Sequence, residues 1–275
     1  MSLIPLQILY VFADFLFFLI YRIIRYRREI VRNNLQSAFP DLKQEELNSI
    51  EKKFYQHFCD LIVESLKLLT IRPNNLFKRF KILNPELVDS FKGENQSFIL
   101  YCGHLGNWEW LAILPLILKP KILTFYLTLS NKYFNNLIKI IRERFGIESV
   151  DAGKGYKTLL KYSAANVNTF TLFVADQSPH KDTSMHWTWF LNQDTAFNTG
   201  INTIAQKMNK VVLFPHFRKV ARGYYEIEFM TIWDAKKPLA NNELIEIFAA
   251  NLENAVRESP HLWLWTHRRW KLRKV

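Results

Sequence analysis

Short apolar runs alternate along the chain with segments that are predicted to be helical. The runs that predict β-strands are residues 98–101, 121–129, 147–151, 169–175 and 211–216. The segments that predict helices among and after these strands are residues 131–145, 197–208 and 242–258. Residues 224–232 alternate between apolar and polar side chains, which predicts an edge strand. Strands that alternate with helices are typical of α/β proteins, so we predict an α/β fold.

The first part of the chain carries a longer apolar segment. Residues 3–21 are apolar apart from Pro5, Gln7 and Asp14, and as a helix they would span about 28 Å, close to the hydrocarbon thickness of a bilayer. An arginine cluster follows at positions 22, 25, 27, 28 and 32, and the positive-inside rule then keeps the following domain in the cytoplasm. No basic segment precedes the apolar stretch and no small-residue cleavage site follows it, which disfavours a cleaved signal peptide.

We therefore predict a membrane-anchor helix at residues 1–24 and a single domain at residues 25–275. A buried helix of a soluble protein is the alternative to an anchor. Whether an anchor would span the bilayer or lie in its interface stays open. After the anchor, residues 28–39 predict a helix that stops at Pro40, and Asp41 is a plausible N-cap for a long amphipathic helix that ends at Pro73. Residues 75–92 predict short helices.

Composition narrows the possible partners. With 275 residues the chain can build one large α/β domain with a full core. A formal net charge of +12 favours nucleic acid, an anionic membrane surface or an acidic partner. Residues 262–275 interleave tryptophans with basic residues, which suits either stacking on bases or a membrane interface. The apolar N-terminal segment makes the membrane the better interpretation of this tail.

The candidate chemistry lies where the first central strand ends. Residues 98–101 are followed by Gly103, His104 and Gly106, and then by a predicted helix that carries Glu109. Polar side chains at the carboxyl ends of strands build the sites of open α/β folds. Histidine suits proton transfer near neutral pH, and a carboxylate one helical turn away can orient and stabilise it. The pattern is His-x4-Glu, and we predict His104 and Glu109 to be a catalytic pair.

Other residues offer further or competing chemistry. Strand 169–175 delivers Asp176 and Gln177 to the same edge of the sheet as His104. Cys102 raises the alternative of a cysteine nucleophile, but its place in an apolar strand favours a small buried residue. The histidines at positions 180 and 186 match no common zinc spacing, so we expect no metal.

Four blocks, taken together, resemble a known family. GHLGNWE at residues 103–109 is followed in order by DQSP at 176–179, FLNQDTAFNTG at 190–200 and PHLWLWTHRRWK at 260–271. This set is similar to the late acyltransferases of lipid A biosynthesis, which use His-x4-(Asp/Glu). Asn192 stands where that family usually has glycine, so the loop there is expected to differ in shape.

The resemblance implies a fold and a set of substrate-binding residues. We expect a mixed sheet flanked by helices, similar to the glycerolipid acyltransferase fold. The family bears an arginine near the site on the helix at residues 131–145, which matches either Arg142 or Arg144, and another at Arg218. It also has Asp176 and Gln177 close to the catalytic pair. A solvated basic helix end is the alternative for Arg142 and Arg144.

The resemblance also implies a reaction. His104 would act as general base on a lipid hydroxyl, and Glu109 would orient and stabilise its imidazolium. The acyl donor would be an acyl carrier protein thioester, the acceptor an anionic lipid A precursor, and the location the cytoplasmic face of the inner membrane. No organic cofactor is implied and no nucleic acid is expected as a partner. Acylation of a lysophospholipid or an aminolipid is the alternative, followed by a non-catalytic membrane or nucleic-acid-binding protein.

Overall fold

A mixed seven-stranded sheet forms the centre of the domain in the computed structural model, which describes residues 2–91, 96–128 and 131–274. The strands of this sheet and of a separate two-stranded sheet, formed by β6 and β7, are β1 Phe80–Ile82, β2 Phe98–Cys102, β3 Lys121–Tyr126, β4 Glu148–Asp151, β5 Thr169–Val174, β6 Met185–Phe190, β7 Gln193–Asn198, β8 Val211–Ala221 and β9 Tyr224–Trp233. The order in the main sheet is β1-β9-β8-β2-β5-β3-β4. The short helices predicted at residues 75–92 end at Lys92, and the strand predicted at residues 121–129 ends at Leu129. Both residues lie outside the described ranges, as do Met1 and Val275.

Helices flank this sheet, as predicted. They are α1 Leu6–Phe17, α2 Arg28–Ala38, α3 Gln44–Lys67, α4 Pro73–Phe77, α5 Glu86–Ser90, α6 Lys132–Glu143, α7 Gly155–Ala164, α8 Gly200–Lys207 and α9 Glu243–Glu258. A 3₁₀ helix, Trp108–Leu116, follows β2. The predicted fold class, α/β with a mixed sheet flanked by helices, is thereby confirmed.

The position of β2 explains its composition. It pairs in parallel with β5 on one side and with β8 on the other, and all five of its residues are buried. A strand that is covered on both faces reads as a continuous apolar run, which is the pattern of FILYC. Because β2 and β5 run in parallel, their carboxyl ends meet at the same edge, and the residues after each strand are neighbours there.

The prediction that residues 224–232 form an edge strand is wrong. β9 pairs with β8 in antiparallel register, and β1 covers its other side in parallel register. β1 has only three residues, too few to show the two-residue periodicity of a strand. It lies within residues 75–92, which were predicted to form short helices.

The N-terminal apolar segment packs on the domain along one side only. In α1, Leu6, Leu9 and Ala13 are buried, whereas the side chains of Val11 and Phe15 are 69% and 59% exposed. The helix continues as a π-helix, Phe18–Ile24, and ends before Arg25, which is left-handed. Leu6–Ile24 is the one helix among the described residues that is long and apolar enough to cross a membrane.

The long helix α3 has other boundaries than predicted. It begins at Gln44, where the Glu46 side chain accepts a hydrogen bond from the Lys43 backbone N–H, so Asp41 is not its cap. It ends at Lys67, and Pro73 is the first residue of α4. Proline suits that first position because its missing N–H would have no partner inside the helix.

A hairpin replaces the start of the predicted helix at 197–208. β6 and β7 pair antiparallel around a two-residue turn at Leu191 and Asn192, and α8 begins only at Gly200. Both turn residues have positive φ, 50° and 60°. Asparagine tolerates this conformation better than most residues, which explains how Asn192 can stand where the family usually has glycine.

Candidate active site

Two glycines shape the loop that presents His104 after β2. A Cβ on Gly103 would lie 2.8 Å from the Leu252 side chain and 3.1 Å from an Asp176 carboxylate oxygen, so a larger residue would require both side chains to shift. Gly106 has φ +62°, and a Cβ there would lie 2.8 Å from the Phe217 ring. The loop is therefore folded tightly against its surroundings, which fixes the backbone on both sides of His104.

Asp176, the residue two positions after β5, holds the ring of His104. Its Oδ1 lies 2.6 Å from His104 Nδ1, and its Oδ2 accepts the backbone N–H of His104 at 2.9 Å. The Trp263 indole N–H donates to the same Oδ2 at 2.7 Å. Burial alone would raise the pKa of Asp176, but the charge of His104 and these hydrogen bonds lower it to about 2.

The contact between the two residues assigns the tautomer of His104. An ionised carboxylate only accepts hydrogen bonds, so Nδ1 must carry a proton and donate it to Asp176. In the neutral ring this leaves a lone pair on Nε2, which faces Gln177, an exposed residue whose Nε2 lies 3.5 Å away. This arrangement is that of a general base with a fixed orientation.

Glu109 is engaged by a different partner. Arg142 Nε donates to its Oε2 at 3.0 Å and Arg142 Nη2 to its Oε1 at 2.6 Å, which makes a two-bond ion pair. The Trp108 indole N–H donates to Oε1 at 3.2 Å. Burial raises the pKa of Glu109, but the charge and hydrogen bonds of Arg142, with a smaller contribution from His104, lower it overall.

The expectation that Glu109 holds the imidazole therefore differs from the observed contacts. The five-residue spacing placed Glu109 within one helical turn of His104, but the chain turns at Gly106 before the helix begins at Trp108, and this turn separates the two side chains. His104 precedes the helix, so its Nδ1 meets the carboxylate at the end of β5. No described hydrogen bond joins the two side chains, and the charge of His104 contributes only to lowering the pKa of Glu109.

The two candidate arginines at the end of α6 have different partners. Arg142 meets Glu109, whereas Arg144 donates to the backbone carbonyl of Leu68. Of the pair, Arg142 is therefore the one that reaches the predicted catalytic residues. Arg218 is exposed on β8 beside Phe217. Because Phe217 contacts Gly106 and successive side chains of a strand point to opposite faces, Arg218 points away from the His104 loop.

The C-terminal segment supplies a partner that the sequence pattern did not indicate. Leu264 N–H donates to the carbonyl of His104 at 3.1 Å, and Leu105 forms a β-bridge with Trp263. The prediction that the tail tryptophans lie at a membrane interface is wrong for Trp263 and Trp265, which are 2% and 0% exposed. Trp263 packs against the His104 loop through Leu105, and Trp265 packs on Trp263 with their ring centroids 4.6 Å apart.

The cysteine alternative receives no support. Cys102 is fully buried, its Sγ lies 3.5 Å from the carbonyl oxygen of Phe173, and burial raises the pKa of its thiol. The thiolate is the nucleophilic form of cysteine, so this side chain is held in its unreactive form.

Comparison with known families gives a result for the whole chain. Residues 1–272 match the family of bacterial lipid A biosynthesis acyltransferases. No curated protein matches the chain significantly.

Proposed function

Because the chain belongs to the bacterial lipid A biosynthesis acyltransferase family, we propose that it transfers a fatty acyl group from an acyl carrier protein to a hydroxyl of a lipid A precursor, with His104 as the base. The observation that carries this assignment is the fixed orientation of His104. Asp176 holds its Nδ1 at 2.6 Å, and Nε2 is left for an acceptor hydroxyl.

The reaction then follows from general base catalysis. Nε2 of His104 takes the proton of the acceptor hydroxyl while the oxygen attacks the thioester carbonyl. Asp176 stabilises the imidazolium that forms, because it is ionised and hydrogen bonded to the ring. As the tetrahedral intermediate collapses, the C–S bond breaks and the imidazolium returns the proton to the departing thiolate. No covalent acyl-enzyme is required, since a thioester is already activated.

Glu109 and Arg142 support this step as a second charged pair. The Glu109 carboxylate is bound by Arg142 and Trp108, and its interaction with the charge of His104 is attractive. A fixed negative charge near the ring favours the imidazolium. The pair also fixes the guanidinium of Arg142, a group that suits an anionic substrate.

A basic surface supports an anionic acceptor at a membrane. Arg27 Nη1 donates to the carbonyl of Thr266 at 3.1 Å, and Asn34 Nδ2 donates to the carbonyls of Trp265 and His267 at 2.9 and 2.8 Å. These bonds join the arginine cluster after the apolar helix to the C-terminal tail. The exposed members of this basic surface are Arg22, Arg25, Arg27, Arg268, Lys271, Arg273 and Lys274.

The basic surface is adjacent to both the apolar helix and the tail that packs under His104. Lipid phosphates at the cytoplasmic face would meet it, and so would the phosphates of a lipid A precursor. A net charge of +12 also suits the acidic surface of an acyl carrier protein. A lysophospholipid or an aminolipid remains the alternative acceptor.

The first test compares lipids from a deletion strain with those of its parent by mass spectrometry. We expect lipid A that lacks one secondary acyl chain, and the mass difference gives the chain length. Complementation with the wild-type gene should restore the mass, and the His104→Ala gene should not. Unchanged lipid A, together with the loss of one acyl chain from an aminolipid or from the acylation product of a lysophospholipid, would establish the alternative acceptor. Purified enzyme should use the acyl carrier protein thioester in preference to the coenzyme A thioester.

The second test concerns the exposed apolar face of α1, which we propose to lie in the membrane. Val11→Glu should reduce membrane partitioning by about tenfold or more, because a charge placed in the bilayer is costly. The matched control is Val167→Glu. Val167 is an exposed valine just before the amino end of β5, whereas His104 lies beyond the carboxyl ends of the parallel strands. Flotation of full-length protein with liposomes measures both. Equal flotation of the two variants and the parent would contradict a membrane role for this face.

A further inference from the structure

A buried carboxylate joins the apolar helix α1 to the loop that carries His104. Glu64, on α3, is 0% exposed. Its Oε1 accepts a hydrogen bond from the Tyr10 hydroxyl of α1 at 2.7 Å. Its Oε2 accepts from Asn107 Nδ2 at 2.6 Å and from the Tyr225 hydroxyl of β9 at 2.9 Å. Three separate parts of the fold therefore meet on one side chain.

Asn107 transmits this contact to the candidate active site. With its Nδ2 bound to Glu64, its Oδ1 faces the backbone N–H of Trp110 at 3.2 Å and caps the 3₁₀ helix that carries Glu109. The Trp110 indole N–H donates to the backbone carbonyl of Glu64 at 3.1 Å. The start of the helix is thus oriented by Asn107, which is bound to Glu64 of α3, and Glu64 is in turn bound by Tyr10 of α1.

A second series of polar contacts runs in parallel to the first. Its members, in order from α1, are Asp14, Arg222, Asp60, Lys219, His57 and the carbonyl of Gly106. Arg222 Nη2 lies 2.6 Å from Asp14 and 2.7 Å from Asp60. Asp14, the one acidic residue in the apolar segment, is therefore paired with the domain.

His57 forms the last link of this series. It is 2% exposed, and burial and the charge of Lys219 hold its pKa well below the usual range, so the ring is neutral. Lys219 can only donate, at 3.3 Å, to His57 Nδ1. Nε2 then carries the proton and donates to the carbonyl of Gly106 at 3.2 Å. The two series end on consecutive residues, Gly106 and Asn107.

We propose that Tyr10 and Glu64 are positioning residues, and that α1 helps to orient the catalytic groups in addition to any anchoring role. The loop between β2 and the 3₁₀ helix carries His104 at one end and leads to Glu109 at the other. Its orientation depends on Glu64, whose carboxylate is held from the apolar helix by Tyr10. This inference rests on the proposed function, because it concerns the orientation of the same catalytic groups.

The test uses full-length enzyme in detergent, so that membrane binding does not limit the rate. Tyr10→Phe removes one hydroxyl from Glu64 and keeps the ring. We expect kcat to fall by about tenfold with little change in KM for the thioester, because small misplacements of catalytic groups are costly. Glu64→Gln should lower kcat further, by about 10²-fold, because the amide keeps one acceptor oxygen where the carboxylate has two, so Tyr10, or else Asn107 and Tyr225, loses its acceptor.

The matched control is Tyr55→Phe. Tyr55 is a buried tyrosine of α3, whereas Tyr10 is half-buried on α1. The Tyr55 hydroxyl donates to the carbonyl of Tyr26 at 2.5 Å, and no described hydrogen bond links it to Glu64 or Asn107. A kcat loss in Tyr10→Phe at least about five times that in Tyr55→Phe supports the proposal. A smaller ratio between the two kcat losses overturns the proposal. This holds also when the two variants have the same thermal midpoint and are therefore equally stable.

Two further outcomes separate this inference from the proposed function. If Glu64→Gln fails to fold, the ratio between Tyr10→Phe and Tyr55→Phe decides alone. If His104→Ala is inactive while the ratio is small, the proposed function stands and the positioning role of Tyr10 fails. If His104→Ala keeps its activity, the proposed function fails and the positioning role fails with it.

Discussion

Replacing His104 with alanine is expected to lower kcat for acyl transfer by about 10²–10⁴-fold, the usual effect of losing a general base. The variant keeps Asp176, the glycines of the loop and the packing beneath it, so the fold should be retained. The measurement is thiol release from the acyl thioester in the presence of lipid acceptor, made with purified full-length enzyme. Circular dichroism and the thermal midpoint establish that the variant is folded.

The control for this change is His216→Ala. His216 is a histidine of β8 that pairs with Glu258 at 3.3 Å. It precedes Phe217, which contacts Gly106, so its side chain points to the opposite face of the strand from the His104 loop. We expect its kcat to stay close to that of the parent. Activity of His104→Ala within about tenfold of the parent would exclude His104 as the base, because that loss is below the usual contribution of such a group.

The central strands were predictable because of where they lie in the sheet. β2 and β5 lie inside the sheet, so β2 is a continuous apolar run and only threonines interrupt the apolar residues of β5. β1 and the hairpin of β6 and β7 were not predicted. β1 is only three residues long. β6 alternates polar residues with large aromatics, which is a strand pattern, but its histidine was considered only as a possible metal ligand.

The positions of His104 and Asp176 at the site were predictable from the sequence, but the side-chain contacts within the site were not. The sequence placed His104 and Asp176 at one edge of the sheet, since each follows a buried strand. The hydrogen bond between them joins residues 72 positions apart, and no local spacing encodes it. The same holds for Arg142 with Glu109 and for Trp263 with Asp176. Local periodicity describes one element at a time, whereas these contacts depend on how elements pack.

Asp176→Asn is expected to lower kcat by about 10²–10⁴-fold, with little change in KM for the thioester, because the side chain keeps its shape and loses its charge. The pKa of Asp176 is about 2, so the wild-type carboxylate is ionised throughout any practical assay range. The amide of asparagine cannot stabilise the imidazolium in the same way, and it can present a donor to His104 Nδ1, which favours the wrong tautomer.

Glu109→Gln is the matched change at the other carboxylate. It should also lower kcat and leave KM for the thioester nearly unchanged, because it removes the charge that favours the imidazolium and weakens the bond to Arg142. We expect a smaller loss than for Asp176→Asn, since Asp176 bonds the ring directly and Glu109 does not. Glu109→Asp should retain part of the activity, because the negative charge that favours the imidazolium is kept while the shorter side chain reaches Arg142 less well.

Double variants test whether these carboxylates act through His104. His104→Ala with Asp176→Asn should be scarcely slower than His104→Ala alone, because residues that act as one unit are not additive. His104→Ala with Glu109→Gln should behave in the same way if the Glu109 charge works through the imidazolium. Losses that multiply in the Glu109 double variant, and not in the Asp176 double variant, would restrict the catalytic pair to His104 and Asp176. Glu109 would then act on the substrate through Arg142, independently of the base.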